Sequence, residues 1–273
     1  MSELPTAPSA VAPGERGPAR AGLHARAAAL AGALVAGLLD WFYPRHCYHC
    51  GVPLEESRAR ILCRSCTEAL VAARITGAVC NVCGLPLAAQ PVDGVLCITC
   101  RAEARHFDLA RSFLSYAGPA SSVIRAFKFD GQFFLGPRFL AAMLDRGWLP
   151  ADIGPADLVV PVPLHPQRRR ERGYDQALLL SRVVAARLGG RLLVHALVRT
   201  RYTSQQSLLP VGKRWDNVRG AFAVRDAAAV RDRRVLLVDD VMTTGVTASE
   251  CAKVLKKAGA AHVQVLTLAR PAP

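Results

Sequence analysis

The chain has 273 residues and carries 35 Lys+Arg against 21 Asp+Glu, a formal charge of +14, with 51% hydrophobic and only 6% aromatic residues. That apolar content supports a packed core and excludes a wholly disordered chain, and the surplus of basic residues predicts attraction to phosphorylated or other anionic ligands. The longest unbroken apolar run, residues 27–39, falls short of the roughly 20 residues a membrane-spanning helix needs, so no transmembrane segment is expected.

In chain order, residues 1–22 are rich in Pro, Ala and Gly and read as a disordered leader without the apolar centre of a secretory signal. From 23 to 43, Leu23, Leu30, Leu34, Leu38 and Trp41 recur at helical spacing and stop before Pro44. A short helix is expected there, packed on its own protein or against a partner or a membrane interface.

Eight of the nine cysteines lie between 47 and 100, always in pairs two residues apart. Cys47-Tyr-His-Cys50-Gly51-Val-Pro53-Leu54 recurs as Cys80-Asn-Val-Cys83-Gly84-Leu-Pro86-Leu87, and the second pairs, Cys63/Cys66 and Cys97/Cys100, also match. A CxxC turn brings two thiolates to one ion, and the glycine after it suits the left-handed backbone such a turn needs. Two such turns make a closed tetrahedral site of the structural-zinc type, with no open position for catalysis. The repeat favours Cys47, Cys50, Cys63 and Cys66 on one zinc ion and Cys80, Cys83, Cys97 and Cys100 on a second. Interleaved pairing, a disulfide framework and an iron–sulfur cluster stay open as alternatives. Thiolate sites and the lack of a secretory signal fit a reducing, cytoplasmic compartment. Cys251, alone in a helix, reads as a buried thiol.

Beyond Phe107 the texture becomes that of an α/β domain. Helices are expected at 121–128, 137–147, 175–188 and 247–257, and strands at 158–162, 191–197, 235–238 and 262–269. The alternation predicts a mostly parallel sheet with helices on both faces. The expected organisation is a double zinc ribbon at 44–104 followed by an α/β domain at 105–273.

The most informative segment runs from Val235 through Asp239, Asp240, Thr243, Thr244, Gly245 and Val246 to Thr247. An apolar strand delivers the chain to the carboxyl edge of a sheet, and a hydroxyl-rich turn around one glycine then opens a helix. Backbone N–H groups at that helix start, with the threonine hydroxyls, suit a phosphate dianion. Neither GxxxxGK[ST] nor GxGxxG occurs, so the loop belongs to neither an NTPase P-loop nor a dinucleotide fold. Two acids beside an anion cradle make sense if the ligand carries neutral hydroxyls next to its phosphate, as ribose 5-phosphate does. Phosphoacceptor folds also place two acids after a strand, but they lack the Thr-Thr-Gly-x-Thr that follows here.

The thirteen positions Val235–Thr247 resemble the signature of type I phosphoribosyltransferases, which bind 5-phosphoribosyl 1-pyrophosphate (PRPP). The stretch from about 40 to 270 resembles the ComF (competence protein F) family, which joins zinc ribbons to a phosphoribosyltransferase domain. The resemblance rests on Phe107-Asp108, Tyr116, Ile124–Phe129, Val160–His165, Arg168–Gln176, Gln206, Arg214, Asn217-Val218, Gly220–Phe222, the loop itself and Gly259–Arg270. It implies a type I phosphoribosyltransferase-like sheet and a site for PRPP with magnesium. Asp239 and Asp240 would then take the ribose, Thr243–Thr247 the 5-phosphate, and the turn at Val162 and Pro163, with Lys128, Arg168 and Arg172, the pyrophosphate. It identifies no catalytic residue and no nucleobase pocket.

The family usually has Asn where this chain has Asp175, a carboxylate that cannot donate as an amide does. The family's biology implies single-stranded DNA and proteins of the DNA-uptake machinery as partners in natural transformation. Residues 166–220 hold twelve Arg or Lys against three acids, interspersed with Tyr174, Tyr202 and Trp215 that either stack bases or pack internally. An active transferase acting on a small base or amine, and a nonenzymatic PRPP-sensing regulator, are the competing expectations.

Overall fold

The computed structural model describes residues 46–54, 61–88, 94–202 and 214–272, all within the compact unit His46–Pro273. The expected leader at 1–22, the helix at 23–43 and Gln206 lie outside the described residues.

Two short helices, α1 (Arg64–Ala72) and α2 (Ile98–Ala102), each start within the second cysteine pair of their unit, capped by Cys63 and Cys97. The α/β region then runs β1 (Leu109–Ser115), α3 (Gly118–Phe129), α4 (Leu135–Asp145), β2 (Leu158–Pro161), α5 (Pro166–Arg172) and α6 (Gln176–Leu188). It continues through β3 (Arg191–Leu192), β4 (Leu197–Arg199), α7 (Arg214–Val218), β5 (Phe222–Val224), α8 (Ala227–Val230), β6 (Arg234–Val241), α9 (Val246–Lys257) and β7 (His262–Arg270). Five strands form one all-parallel sheet in the order β1-β7-β6-β2-β3, and β4 and β5 form a separate antiparallel pair.

The central strands are apolar almost throughout because both faces are covered, as a parallel sheet requires. Side chains alternate along each strand, so Leu158, Val160, Val235, Leu237, Val263 and Val265 enter one core. Val159, Leu236, Val238, Leu266 and Leu268 enter the other. The first core contains α9 residues, the β4–β5 pair and the second cysteine unit; the second contains residues of α3, α4 and α6 and the first cysteine unit. The two halves of the repeat therefore pack on opposite faces of the sheet.

Both halves also close the outer edge of β1. The Ala110 N–H donates to Val82 O at 2.7 Å, Ile75 N–H to Phe113 O at 3.0 Å and Ser115 N–H to Ala73 O at 2.8 Å. Gly84 stands so close that a Cβ there would lie 2.4 Å from Ala110 O, and its φ of +69° adds a second demand for glycine.

The strand expected at 191–197 ends at Leu192 in the main sheet. The chain turns at 194–195, and Leu197–Arg199 pairs with β5, burying Ala196 and Leu197 beside Val218 and Phe222. No strand was expected at 109–115, because Arg111 and Ser112 interrupt the apolar pattern. Both are buried with partners: Arg111 pairs with Asp152 and donates to Cys80 O and Asn81 O, and the Ser112 and Thr267 hydroxyls lie 2.6 Å apart. Among the described residues, no helix is long and apolar enough to cross a membrane.

Candidate functional site

A cleft of about 380 Å³ opens where β2 and β6 end, the carboxyl edge at which open α/β sheets bind ligands. Its floor is the turn Thr243–Thr247 between β6 and α9. Gly245 takes φ +75° there, and Val246 starts the helix, whose first N–H groups have no partner within the helix itself. The turn is held from behind by buried Arg270, whose guanidinium donates to Thr243 O at 3.5 Å and also to Cys83 O. One side chain thus joins the turn to the second cysteine unit.

Asp239 and Asp240 form one wall. Lys128, on the last turn of α3, reaches Asp240 with Nζ–Oδ1 at 2.8 Å. Burial opposes a charge on Lys128, but the two carboxylates outweigh it and hold its pKa above the usual lysine value. Asp239 keeps some solvent contact at the cleft surface yet is walled in by protein. Burial, together with the Asp240 charge, pushes its pKa up to about 7 against the opposing pull of Lys128. One of two adjacent carboxylates therefore changes charge near neutral pH.

The opposite side is basic. Val162 and Pro163 carry the chain from β2 into α5, and Arg168 and Arg172 project from α5 into the same cleft. Arg172 lies 5.4 Å over the Phe129 ring and Arg168 5.4 Å over Tyr202. With Arg125 and Arg199, the lining holds five basic residues against Asp175, Asp239 and Asp240. Every residue expected for sugar, phosphate and pyrophosphate lines this one cleft. Arg199 and Arg125 were missed. Arg199 arrives on β4, with its guanidinium 5.3 Å over Phe222 and its pKa lowered by burial, and no local motif marks it.

Asp175 is the N-cap of α6, accepting from the Leu178 N–H at 3.0 Å. Asp and Asn serve about equally in that position, which accounts for the exchange without any loss of the loop. His165 likewise caps α5, with Nδ1 accepting from the Gln167 N–H at 3.2 Å.

Each cysteine unit gathers its own four sulfurs, Cys47/Cys50/Cys63/Cys66 and Cys80/Cys83/Cys97/Cys100, all within 4.8 Å of one another. The nine cysteines form no disulfide. Four sulfurs about 2.3 Å from a tetrahedral zinc ion stand about 3.8 Å apart, and Cys50–Cys63 at 3.6 Å and Cys83–Cys97 at 3.7 Å match that spacing. The residues fit two structural zinc ions with sequential pairing. Cys251 is fully buried in α9, and burial drives its pKa well up, so it is an inert thiol.

Of the three aromatics weighed for stacking, Tyr174 packs on Phe127 and Phe133 and donates its hydroxyl to Phe127 O. Trp215 donates to Glu103 at 2.9 Å under Arg105. Tyr202 is exposed, edge-on to His165 and under Arg168.

Residues 38–101 match the double zinc ribbon domain, and residues 175–272 match the phosphoribosyl transferase domain. The chain is 32% identical to competence protein F of Haemophilus influenzae over 84% of this chain and 98% of that protein. It is 31% identical to DNA utilization protein YhgH of Escherichia coli over 83% and 97% of the two chains. It is 28% identical to competence protein ComFC of Bacillus subtilis over 77% and 84%. With two zinc-ribbon units packed against a phosphoribosyltransferase-like sheet, and these relatives matching along most of its length, the chain belongs to the competence protein F family.

Proposed function

We propose that the cleft binds PRPP with magnesium and that the protein handles single-stranded DNA during its uptake in natural transformation. The observation that carries the first part is the meeting, in one cleft, of the Asp239–Asp240 pair, the Thr243–Thr247 turn and a basic wall. The turn takes the 5-phosphate through its N–H groups and hydroxyls. The two acids accept from the ribose 2′- and 3′-hydroxyls, and Lys128, Arg168 and Arg172 face the pyrophosphate at the turn through Val162 and Pro163. Magnesium, when bound with the ligand, neutralises pyrophosphate charge. The names of the relatives, competence and DNA utilization proteins, support the second part, as does the excess of basic residues in the sequence from 166 to 220.

The reading includes a ribbon module at 44–104, a ligand-binding domain at 105–273, a cytoplasmic location in which thiolates stay reduced, and contact with proteins of the DNA-uptake machinery. A second reading, an active transferase using a small base or amine, draws on Asp239: a carboxylate with a pKa of about 7 is poised to take a proton from an attacking nucleophile.

The test is thermal unfolding with and without magnesium and PRPP. The wild type is expected to gain stability, and the Asp239→Asn/Asp240→Asn variant to gain none while keeping its zinc. An equal gain in the variant would overturn the ribose assignment. Pyrophosphate released in the presence of a panel of bases and amines would establish the second reading.

A further inference from the structure

Five of the described phenylalanines, Phe107, Phe113, Phe127, Phe139 and Phe222, are buried. The other three are not: Phe129, Phe133 and Phe134 expose 53%, 57% and 36% of their surface. Phe129 ends α3 directly after Lys128, and Phe133 and Phe134 lie on the turn into α4. Phe133 stands edge-on to Phe134 at 6.1 Å and to Tyr174 at 6.2 Å, and Phe129 lies under the Arg172 guanidinium at the rim of the cleft. Arg168, four residues before Arg172 on α5, shares its helix face and covers exposed Tyr202. Exposed rings therefore stand as a track beside the cleft, whose rim at Phe129 carries the Arg172 and Arg168 guanidinium groups.

We propose that this track is the seat of a single strand of DNA, with Phe133 and Phe134 stacking unpaired bases while the basic rim of the cleft draws its phosphates. The proposal rests on the DNA-handling reading above and gives it a surface. Exposed rings beside a basic cleft rim fit a ligand that carries both flat bases and anions. Duplex DNA hides its base faces in the helix and cannot use the rings. The surplus of basic over acidic side chains in the adjoining cleft supplies the charge complementarity.

The experiment measures fluorescence anisotropy of three labelled DNAs with the full chain: oligo(dT), an abasic oligomer of equal length, and a duplex. The wild type is expected to bind oligo(dT) at least about tenfold tighter than the abasic strand. The Phe133→Ala/Phe134→Ala variant should lose that preference while keeping its zinc, its salt dependence and its stabilisation by PRPP. Unchanged oligo(dT) affinity in the variant would overturn the track and leave the DNA reading standing. No binding of oligo(dT) by the wild type would overturn both, and equal binding of duplex would overturn the stacking role. Should the double variant not fold, Phe133→Trp decides. Quenching of its added emission by oligo(dT), but not by the abasic strand, supports the track, and unchanged emission overturns it.

Discussion

Lys128 and Asp240, 112 residues apart in sequence, meet at 2.8 Å on the wall of the cleft. The ammonium is the counterion that lets two adjacent carboxylates share one site. Replacing it by methionine leaves the acids facing each other. Lys128→Met is therefore expected to cost about 1–3 kcal/mol in urea unfolding near neutral pH. Adding Asp240→Asn to that variant should recover part of the loss, and a double variant no more stable than the single one would contradict the pairing.

Asp239 gives stability a pH dependence of known sign. Its folded pKa of about 7 stands above the ordinary aspartate value near 3.9, so the folded state holds the proton more tightly than the unfolded chain. That contribution is complete below about pH 4 and is lost as pH rises through about 7. Asp239→Asn should flatten the fall in melting temperature between about pH 4 and pH 7 and exceed the wild type above that range. A variant that tracks the wild type throughout would show that Asp239 ionises freely.

Asp175 caps α6 with its carboxylate. Asp175→Asn should leave both unfolding free energy and PRPP-dependent stabilisation unchanged, whereas Asp175→Ala should lose about 1 kcal/mol. Chemical denaturation of the two variants side by side separates a cap from a ligand contact.

Gly51 and Gly84 occupy equivalent places in the repeat and are not equivalent in the fold. Both have positive φ, but a Cβ at Gly51 meets nothing within 4 Å, whereas one at Gly84 strikes the backbone of β1. Gly51→Ala should cost about 1–2 kcal/mol from the left-handed backbone alone. Gly84→Ala should cost clearly more, and equal melting temperatures would refute the close approach.

Metal analysis should return two zinc ions per chain. Their removal should have unequal effects, because Arg270 ties Cys83 to Thr243 while the first cluster packs on the other face of the sheet. Cys100→Ser should weaken stabilisation by PRPP; Cys50→Ser should lower zinc content and leave that stabilisation in place.

The segment from Val235 to Thr247 and the cysteine spacing were legible in the sequence because each is a local pattern: an apolar strand that must be buried, a turn with one possible glycine, thiolates within one knuckle. Sequential pairing of the clusters followed from the repeat. What escaped reading was long-range. β1 hid behind Arg111 and Ser112, whose partners lie on other elements. Arg199 reaches the cleft only because β4 leaves the main sheet to pair with β5. The phenylalanine turn carried no message until burial of the others set it apart.

The carbonyls and amides of Val82, Ile75 and Ala73 that seal the outer side of β1 belong to the cysteine-bearing segments. An uncovered parallel edge is a template for strand addition from other molecules. A chain starved of zinc would therefore lose more than two ions: it would present a sticky border to its neighbours.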